Sequence, residues 1–266
     1  MNDQAGPPIV PNARTILITG ASSGIGKALA LRYAGAGVTL ALVARDQARL
    51  RETAEACGAR GAIVRTGLID VRDRQAMAQW FGALDRESPV DLVIANAGLM
   101  AGTPPGGEIE KADTGYAVLE TNTLGVLNTV QPLLPTMMAR RRGQIAIIGS
   151  LAGMIALPDS PSYCASKSAV LSYGLALRAL LSPCGIGVSV VCPGYITTPM
   201  SRRESGGKPF EMPLDKAVER IVAGLDRDRA VIAFPFILTL GTRLHGLLPD
   251  RLRRWLLMRS RFTVAE

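Results

Sequence analysis

The sequence TGASSGIG, residues 19–26, joins a β-branched run, Thr15 to Thr19, to a helical pattern that begins at Gly26. Glycine permits the sharp turn and the close backbone approach that a pyrophosphate requires. The helix that follows offers free N–H groups and the positive end of its dipole to an anion. The turn is therefore predicted to cradle the phosphates of a dinucleotide, although a glycine-rich turn with a purely structural role would look the same.

Beyond this turn, short aliphatic runs alternate with longer helical patterns, which is typical of βαβ units. The predicted strands are Thr15 to Thr19, Thr39 to Val43, Ala62 to Thr66, Leu92 to Ala95, Gln144 to Gly149, Gly187 to Cys192 and Ala230 to Ala233. The predicted helices are Gly26 to Gly35, Asp46 to Cys57, Asp73 to Arg86, Ala112 to Met138, Ser162 to Leu181 and Leu214 to Leu225. The strands are apolar on both faces, as in a sheet covered by helices on both sides. The pattern predicts an α/β fold of the Rossmann type, a doubly wound, seven-stranded parallel sheet in a single domain, residues 1–266, with its ligand at the carboxyl ends of the strands.

The end of the second predicted strand bears on the choice between NAD and NADP. An acidic side chain there would accept the ribose hydroxyls of NAD, but this chain has Ala44 followed by Arg45. Because arginine can grip a phosphate in a bidentate manner, NADP is favoured. Arg45 could instead be a solvated loop charge, and Asp46 beside it complicates the local field. Asp70, after the third strand, could accept from the adenine amino group or cap the helix that starts near Asp73.

Four polar residues predict an acid/base site. Tyr163 and Lys167 are four positions apart on one predicted helix, so their side chains share a face. A free tyrosine has a pKa of about 10, and an ammonium about 4 Å away would supply roughly the 4 kcal/mol that a phenolate near neutral pH requires. Ser150 ends the fifth strand, at the edge where ligands bind. Asn122 lies inside the helix predicted for 112–138, where it either faces inward for a reason or is solvated.

The chain resembles the single-domain short-chain dehydrogenase/reductase family from about Thr15 to about Met200. The resemblance is carried, in order and spacing, by TGASSGIG, Asn96-Ala97-Gly98, Asn122, Ser150, YCASK at 163–167 and Pro193-Gly194. It implies that Tyr163 protonates a carbonyl oxygen or, in reverse, deprotonates an alcohol. It also implies that Lys167 lowers the pKa of Tyr163 and holds the nicotinamide ribose, and that Ser150 binds the substrate oxygen. Asn122 would then position a water that links Lys167 to solvent.

The same resemblance implies a cofactor site and an oligomer. Pro193 and Gly194, with Thr197 or Thr198 after them, would meet the nicotinamide carboxamide. The expected catalytic residues are Asn122, Ser150, Tyr163 and Lys167. The residues expected to bind NADP(H) are Gly20, Ser22, Ser23, Gly24, Ile25, Gly26, Arg45, Asp70, Asn96, Ala97, Gly98, Tyr163, Lys167, Pro193, Gly194, Ile196 and Thr198. The family also implies a homodimer or homotetramer.

These features predict an NADP-dependent oxidoreductase that moves hydride between nicotinamide and a small-molecule carbonyl or alcohol. The alternative is a non-catalytic NADP-binding sensor or scaffold protein, which would have no need of a tuned phenol. Residues 195–215, whose centre at 200–213 is rich in Gly, Pro and charge, are expected to form a substrate lid. An apolar set hints at a hydrophobic substrate. The expected substrate-pocket residues are Leu99, Met100, Leu151, Met154, Leu157, Tyr195 and Met200.

The formal net charge of +8 is concentrated in a basic amphipathic C-terminal extension, residues 236–262. This segment could lie on an anionic membrane surface as a peripheral contact. It could also pack on the body or on a second subunit with its arginines in water, which is favoured because apolar stripes at helical spacing usually face protein. The arginines at 140–142 complement a helix dipole, so no nucleic-acid partner is predicted.

The single histidine, His245, and four cysteines without a CxxC pair argue against a zinc site or a Ser-His-Asp triad, so no metal is expected. The cysteines are expected to be buried and reduced. Residues 1–12 lack a signal-peptide pattern, and the apolar stretch 230–241 is shorter than the about 20 residues that cross a bilayer. We therefore expect a cytoplasmic protein.

Overall fold

A computed structural model describes residues 14–105, 108–259 and 261–264. The strands are β1 (Thr15–Thr19), β2 (Thr39–Ala44), β3 (Ile63–Leu68), β4 (Leu92–Ala95), β5 (Gly143–Ile148), β6 (Ile186–Pro193), β7 (Glu204–Ser205), β8 (Val231–Phe234) and β9 (Thr263–Val264). The α-helices are α1 (Gly24–Tyr33), α2 (Gln47–Gly58), α3 (Arg74–Glu87), α4 (Ala112–Leu119), α5 (Gly125–Val130), α6 (Leu134–Arg140), α7 (Pro161–Leu181), α8 (Leu214–Asp226), α9 (Phe236–His245) and α10 (Asp250–Arg259). A π-helical turn lies at Glu120–Leu124, and 3-10 turns lie at Gln131–Leu133, Leu151–Gly153, Ser182–Cys184 and Ser201–Arg203.

Seven strands form one parallel sheet in the order β3-β2-β1-β4-β5-β6-β8. Alternate residues of β1 enter different cores, with Ile16 and Ile18 packing on the side of α1, α2 and α8, and Leu17 on the side of α3, α5, α6 and α7. The predicted α/β fold with helices on both faces is thus confirmed. Because the strand order reverses between β1 and β4, a ligand cleft is expected at their carboxyl ends.

Strand β3 departs from the expectation that every strand is apolar on both faces and buried. It is an edge strand, and Ile63 and Leu68 are 58% and 55% exposed. Gly67 is its one buried residue, and a Cβ there would lie 3.1 Å from the ring of Trp80. The edge position therefore explains why aliphatic residues of this strand reach solvent.

The single helix predicted for 112–138 is interrupted in the structure. The π-helical turn Glu120–Leu124 and the 3-10 turn Gln131–Leu133 divide it into α4, α5 and α6. The prolines at 132 and 135 have no backbone N–H to donate to the preceding helical turn, which accounts for the second interruption. The first interruption carries Asn122, and such π-turns occur often at functional sites.

The segment 236–262 forms α9 and α10 rather than one continuous helix, and the short strand β9 follows it. Strand β9 pairs antiparallel with β7, with Glu204 opposite Val264 and Ser205 opposite Thr263. The expected lid, residues 195–215, thus contains a strand that is tied to the C-terminal segment. Within the described residues of 236–262, Thr239 and Phe262 are buried, whereas α10 has no buried residue. Packing of the segment on a second subunit stays a prediction.

The cysteines are free thiols in the structure. Cys57, Cys164 and Cys192 are buried as expected, whereas Cys184 is only half-buried.

Candidate active site

The glycine-rich turn between β1 and α1 has a backbone that only glycine adopts easily. Gly20 and Gly24 have φ of 67° and 50°, in the left-handed region that L side chains rarely enter. A Cβ at Gly26 would overlap the carbonyl oxygen of Gly20. Gly20 and residues 22–25 line the main cavity, and Gly26 lies beneath the turn, buried. The turn is therefore a bare main-chain surface at a helix N-terminus, which suits an anionic phosphate.

Asn96 holds this turn in place. Its Nδ2 donates to the carbonyl oxygens of Thr19 at 2.9 Å and Gly20 at 3.2 Å. The Thr19 hydroxyl in turn accepts from the backbone N–H of Asn96 at 3.1 Å and of Ala97 at 3.2 Å. Asn96, Ala97 and Gly98 line the cavity as well, so the β4 turn both supports the glycine-rich turn and borders the cleft.

Two arginines lie at the end of β2. Arg45 and Arg49 both line the cavity, and so does Asp46. The Asp46 carboxylate accepts from the backbone N–H of Arg49 at 3.0 Å as the N-cap of α2, and pairs with the Arg49 guanidinium at 3.3 Å. Arg45 pairs with Asp70 at 3.4 Å. The negative charge of Asp46 is thus offset locally, and Arg49 is a cavity residue that the sequence reasoning missed.

Asp70 pairs with a cation near it in sequence. Its carboxylate pairs with the Arg72 guanidinium at 2.8 Å, and these hydrogen bonds lower its pKa to about 2. Its neighbours Ile69 and Val71 line the cavity, whereas Asp70 lines a separate hollow with Arg72. Asp73, not Asp70, caps α3 by accepting from Ala76 N–H at 2.9 Å, so the alternative role of Asp70 as a cap is corrected. The contact of Asp70 with adenine stays a prediction.

Ser150, Tyr163 and Lys167 come together on the cavity wall. Ser150 follows β5, and its Oγ accepts from Ala152 N–H at 3.1 Å and donates to the Pro193 carbonyl oxygen at 3.5 Å. Lys167 lies one helical turn beyond Tyr163 on α7, with its Nζ 5.7 Å from the centroid of the tyrosine ring. The ammonium donates to the carbonyl oxygen of Ile148 at 2.8 Å. The structure thus confirms that these three side chains share one site.

Burial dominates the electrostatics of this group. It raises the pKa of Tyr163 to about 12, and the hydrogen bond from Ser150 opposes the shift. It lowers the pKa of Lys167 to about 8. Lys167 is not among the groups that shift the pKa of Tyr163 in this structure, and its ammonium donates to Ile148. The expected effect of Lys167 together with bound nicotinamide on the phenol stays a prediction. Tyr163 remains protonated at neutral pH, the form that can donate a proton.

Asn122 is buried beneath the site rather than solvated. Its Oδ1 accepts from Leu99 N–H at 2.7 Å, and its Nδ2 donates to the Leu99 carbonyl at 2.9 Å and to Ser166 Oγ at 3.0 Å. The π-helical turn thereby joins the loop after β4 to helix α7. A Cβ at Gly98 would lie 3.2 Å from Asn122 Oδ1 and 3.7 Å from Lys167 Nζ, so glycine keeps this corner open.

The segment after β6 covers the cleft. Pro193, Gly194, Ile196 and Thr198 line the cavity as expected, whereas Thr197 does not. Thr198 and Ser201 hold one another: Thr198 N–H donates to Ser201 Oγ at 3.0 Å, and Ser201 N–H donates to Thr198 Oγ1 at 3.1 Å. This segment therefore lies across the cleft from the glycine-rich turn, with Thr198 3.7 Å from where a Cβ of Gly24 would be.

The cavity has a volume of about 830 Å³. Six of the seven expected substrate-pocket residues line it, namely Leu99, Met100, Leu151, Leu157, Tyr195 and Met200. Met154 instead packs on a small core cluster with Leu151 and Val190. The sequence reasoning missed Ile155, Glu204, Ile237, Leu238, Thr242 and Phe262. The sequence predicted a basic amphipathic extension over 236–262 but did not place part of it at the cavity.

Residues 261–264, which we name the C-terminal clasp, bring Phe262 to the cavity. The fully buried carboxylate of Asp159 accepts from Arg261 Nε at 2.6 Å and from Phe262 N–H at 3.1 Å. The Asp159 carbonyl accepts from Thr103 N–H at 2.7 Å, and the Thr103 carbonyl accepts from Val264 N–H at 2.9 Å. Asp159 thus ties the clasp to the loop that leads into α7.

Glu204 lines the cavity on the side of the expected lid and acts on Tyr163, and the sequence did not predict it there. Burial raises the pKa of Glu204 to about 7, with Lys208 opposing the shift and Glu211 adding to it. Its charge also disfavours ionisation of Tyr163.

Two searches of the described residues gave negative findings. Within residues 14–105, 108–259 and 261–264, no three His, Cys, Asp or Glu side chains lie where they could hold a metal ion together. Over the same ranges, no helix has the length and apolar character to cross a membrane.

Comparison with known proteins agrees with this geometry. The model of the short chain dehydrogenase family matches residues 14–208. An uncharacterized oxidoreductase of Myxococcus xanthus is 33% identical over 240 residues, 90% of this chain and 94% of the relative. A short-chain dehydrogenase of Sphingobium yanoikuyae, solved with NADPH, has a TM-score of 0.76 and 29% identity, over 93% of this chain and 96% of that one. A short chain dehydrogenase of Mycobacterium paratuberculosis, solved with NAD, has a TM-score of 0.71 and 25% identity, over 83% and 94%. The glycine-rich turn, the sheet order and these likenesses together show that the chain belongs to the short chain dehydrogenase family of nicotinamide-dependent oxidoreductases.

Proposed function

We propose that this chain transfers hydride between NADP(H) and the carbonyl or alcohol carbon of a hydrophobic small molecule. The observation that carries the proposal is that Ser150, Tyr163 and Lys167 line one cavity, with Lys167 Nζ 5.7 Å from the centroid of the Tyr163 ring. A protonated phenol and a second hydroxyl that converge on one point can both donate to the same carbonyl oxygen.

The residues present fit a dinucleotide. The positive φ of Gly20 and Gly24 suits a turn that presents bare main chain to phosphates, and the missing Cβ of Gly26 lets helix α1 pack closely against the Gly20 carbonyl. Arg45 and Arg49 are cavity cations at the end of β2, where Ala44 stands in the place of an acid and the carboxylate of Asp46 is engaged by Arg49. We therefore infer that NADP(H) is the cofactor, with these arginines on its phosphate.

Each catalytic side chain has a separate task in the proposed reduction. When bound, the reduced nicotinamide supplies the hydride. Tyr163 donates its proton to the carbonyl oxygen, and Ser150 holds that oxygen so that developing negative charge is stabilised. Lys167, whose ammonium lies beside Ile148, holds the cofactor ribose and adds positive charge near the phenolate. Asn122 positions α7 against the loop after β4, and in our proposal supports the water that returns a proton to Lys167.

The substrate is proposed to be hydrophobic because much of the cavity wall is aliphatic or aromatic. Contributors from five separate segments are Leu99, Leu151, Leu157, Tyr195, Ile237 and Phe262. A cytoplasmic location and a homodimer or homotetramer remain part of the proposal, on the family resemblance.

A screen of NADPH oxidation against ketones and aldehydes tests this function. Tyr163→Phe should lower turnover by roughly 10² to 10⁴-fold while NADPH still binds, since general-acid catalysis contributes about that factor. Turnover that survives in Tyr163→Phe would refute the assignment of the proton donor. Tight NADPH binding with no turnover on any substrate would favour the alternative, a non-catalytic sensor or scaffold.

A further inference from the structure

Helices α9 and α10 leave many large apolar side chains in solvent. Leu247 between the helices is 81% exposed, Phe236 is 74% exposed and Trp255 is 50% exposed. We name this set the apolar face, and its members are Phe236, Ile237, Leu240, Leu244, Leu247, Leu252, Trp255, Leu256 and Met258. Thr239 is the one buried residue of α9, and within the described chain α10 has none. Exposed apolar surface of this extent marks an interaction site.

The apolar face is bordered by positive charge. Over 236–259 there are five arginines, at 243, 251, 253, 254 and 259, against the single acid Asp250. Asp250 is paired with Arg253 at 2.9 Å, so it offsets only one of them. The Arg259 guanidinium stacks over the Trp255 ring at 4.2 Å, which places a cation directly on the apolar face. The whole chain is also basic, with a formal net charge of +8.

We propose that the apolar face binds the surface of an anionic phospholipid bilayer. A helix pair with aromatic and aliphatic side chains beside arginines has the composition of an interfacial segment, with apolar groups in the acyl boundary and guanidinium groups on lipid phosphates. Since no helix of the described residues is long and apolar enough to span a bilayer, the contact is peripheral.

Charge favours a bilayer over a second copy of the chain as the occupant. In a twofold dimer the same patch meets itself, so five arginines and one aspartate of each copy would approach the same set. An anionic lipid surface instead complements the arginines. Each arginine near that surface should raise the affinity for the membrane by about fivefold.

If the apolar face lies on the bilayer, the part of the cavity that α9 lines is brought close to the lipid. Ile237, Gly241 and Thr242 of α9 line the cavity, and Ile237 also belongs to the apolar face. A lipophilic molecule could thus pass from the acyl boundary to the site along α9. This consequence for substrate entry rests on the proposed function, whereas the docking itself does not.

Vesicle co-sedimentation of the full chain tests the docking. The wild type should bind vesicles of equal parts phosphatidylcholine and phosphatidylglycerol, and should be released by high salt, because the Debye length shrinks to about 3 Å at 1 M. Leu247→Glu with Trp255→Glu should weaken binding more than about tenfold. Arg251→Gln with Arg254→Gln should weaken it by roughly 25-fold. Ile63→Glu, at the opposite end of the sheet on the exposed edge strand, is the matched control and should bind like the wild type.

Two results would overturn the proposal. One is that the wild type ignores anionic vesicles, or binds pure phosphatidylcholine equally well. The other is that the wild type is a dimer without affinity for vesicles and Leu247→Glu with Trp255→Glu makes it a monomer, which would assign the face to a second copy. NADPH oxidation in vesicle-free buffer, measured in parallel, should be the same in all variants. It reports on the proposed function separately.

Discussion

The carboxylate of Asp159, with no exposure to solvent, accepts from Arg261 Nε at 2.6 Å across 102 residues of sequence. The same carboxylate accepts from Phe262 N–H, whose side chain lines the cavity. Phe262 thus lines the cavity, and Arg261, which is absent from the lining, is tied to it through the shared carboxylate.

Arg261→Ala should lower the free energy of unfolding by about 1 to 3 kcal/mol, because a buried acceptor loses a charged donor. It should also raise KM for a large ketone more than it lowers kcat, since the wall at Phe262 loosens while Tyr163 and Ser150 stay in place. Thermal unfolding and steady-state kinetics check both effects. Arg251→Ala, on exposed α10, is the matched control. An unchanged KM in Arg261→Ala would show that the clasp does not shape the substrate site.

The arginines at the end of β2 should determine cofactor preference. Arg45→Ala and Arg49→Ala should each weaken NADPH by about ten to a hundredfold, because a hydrogen bond to a charged group is worth about 1.5 to 3 kcal/mol, while NADH binding changes little. Fluorescence titration with both cofactors measures this. Arg51, paired with Glu55 and absent from the cavity lining, provides the control variant Arg51→Ala. Equal losses for NADPH and NADH would contradict the phosphate contact.

The protonation of Glu204 should make stability depend on pH. Its pKa is raised from 4.5 to about 7 in the folded chain, so between these values the native state holds a proton that the unfolded state has lost. The free energy of unfolding should therefore fall as pH rises through this window. Glu204→Gln should lack this contribution to the slope. Urea denaturation at the two ends of the window tests it, and identical slopes for wild type and variant would show that Glu204 does not titrate there.

Two glycine substitutions should have opposite effects. Gly26→Ala places a Cβ where it overlaps the Gly20 carbonyl and the Asn96 amide. It should therefore shift the turn, weaken the binding of NADPH and lower the free energy of unfolding. Gly82→Ala, inside α3 with open space around it, should stabilise the chain by up to about 1 kcal/mol through helix propensity. Calorimetry with and without NADPH distinguishes them. A Gly26→Ala protein that binds NADPH normally would mean that the turn does not need its glycine.

The sequence was most informative where local pattern and position coincide. The alternation of aliphatic strand patterns with helical patterns predicted the parallel sheet. The turn at 19–26 predicted the cleft, and the spacing of Tyr163 and Lys167 predicted two of the residues that line it. It was less informative where side-chain contacts decide the outcome. Asp73 rather than Asp70 caps α3, while Asp70 pairs with Arg72. The raised pKa of Tyr163 follows from burial that spacing cannot reveal. The pairing of β7 with β9 brings the neighbourhoods of Glu204 and Phe262 together at the site. Because each of these strands has only two residues, the sequence shows no periodic pattern that would predict the pairing.

The clasp lies outside residues 14–208, the stretch that matches the family model. The cavity wall thus combines residues of the matched portion with Ile237, Leu238 and Phe262, which lie beyond it. Changes at Arg261, Phe262 or the face of α9 could redirect the enzyme to another compound and leave the nucleotide cradle intact. Sequence similarity over residues 14–208 is accordingly a guide to the type of reaction. It is a poor guide to which molecule is converted.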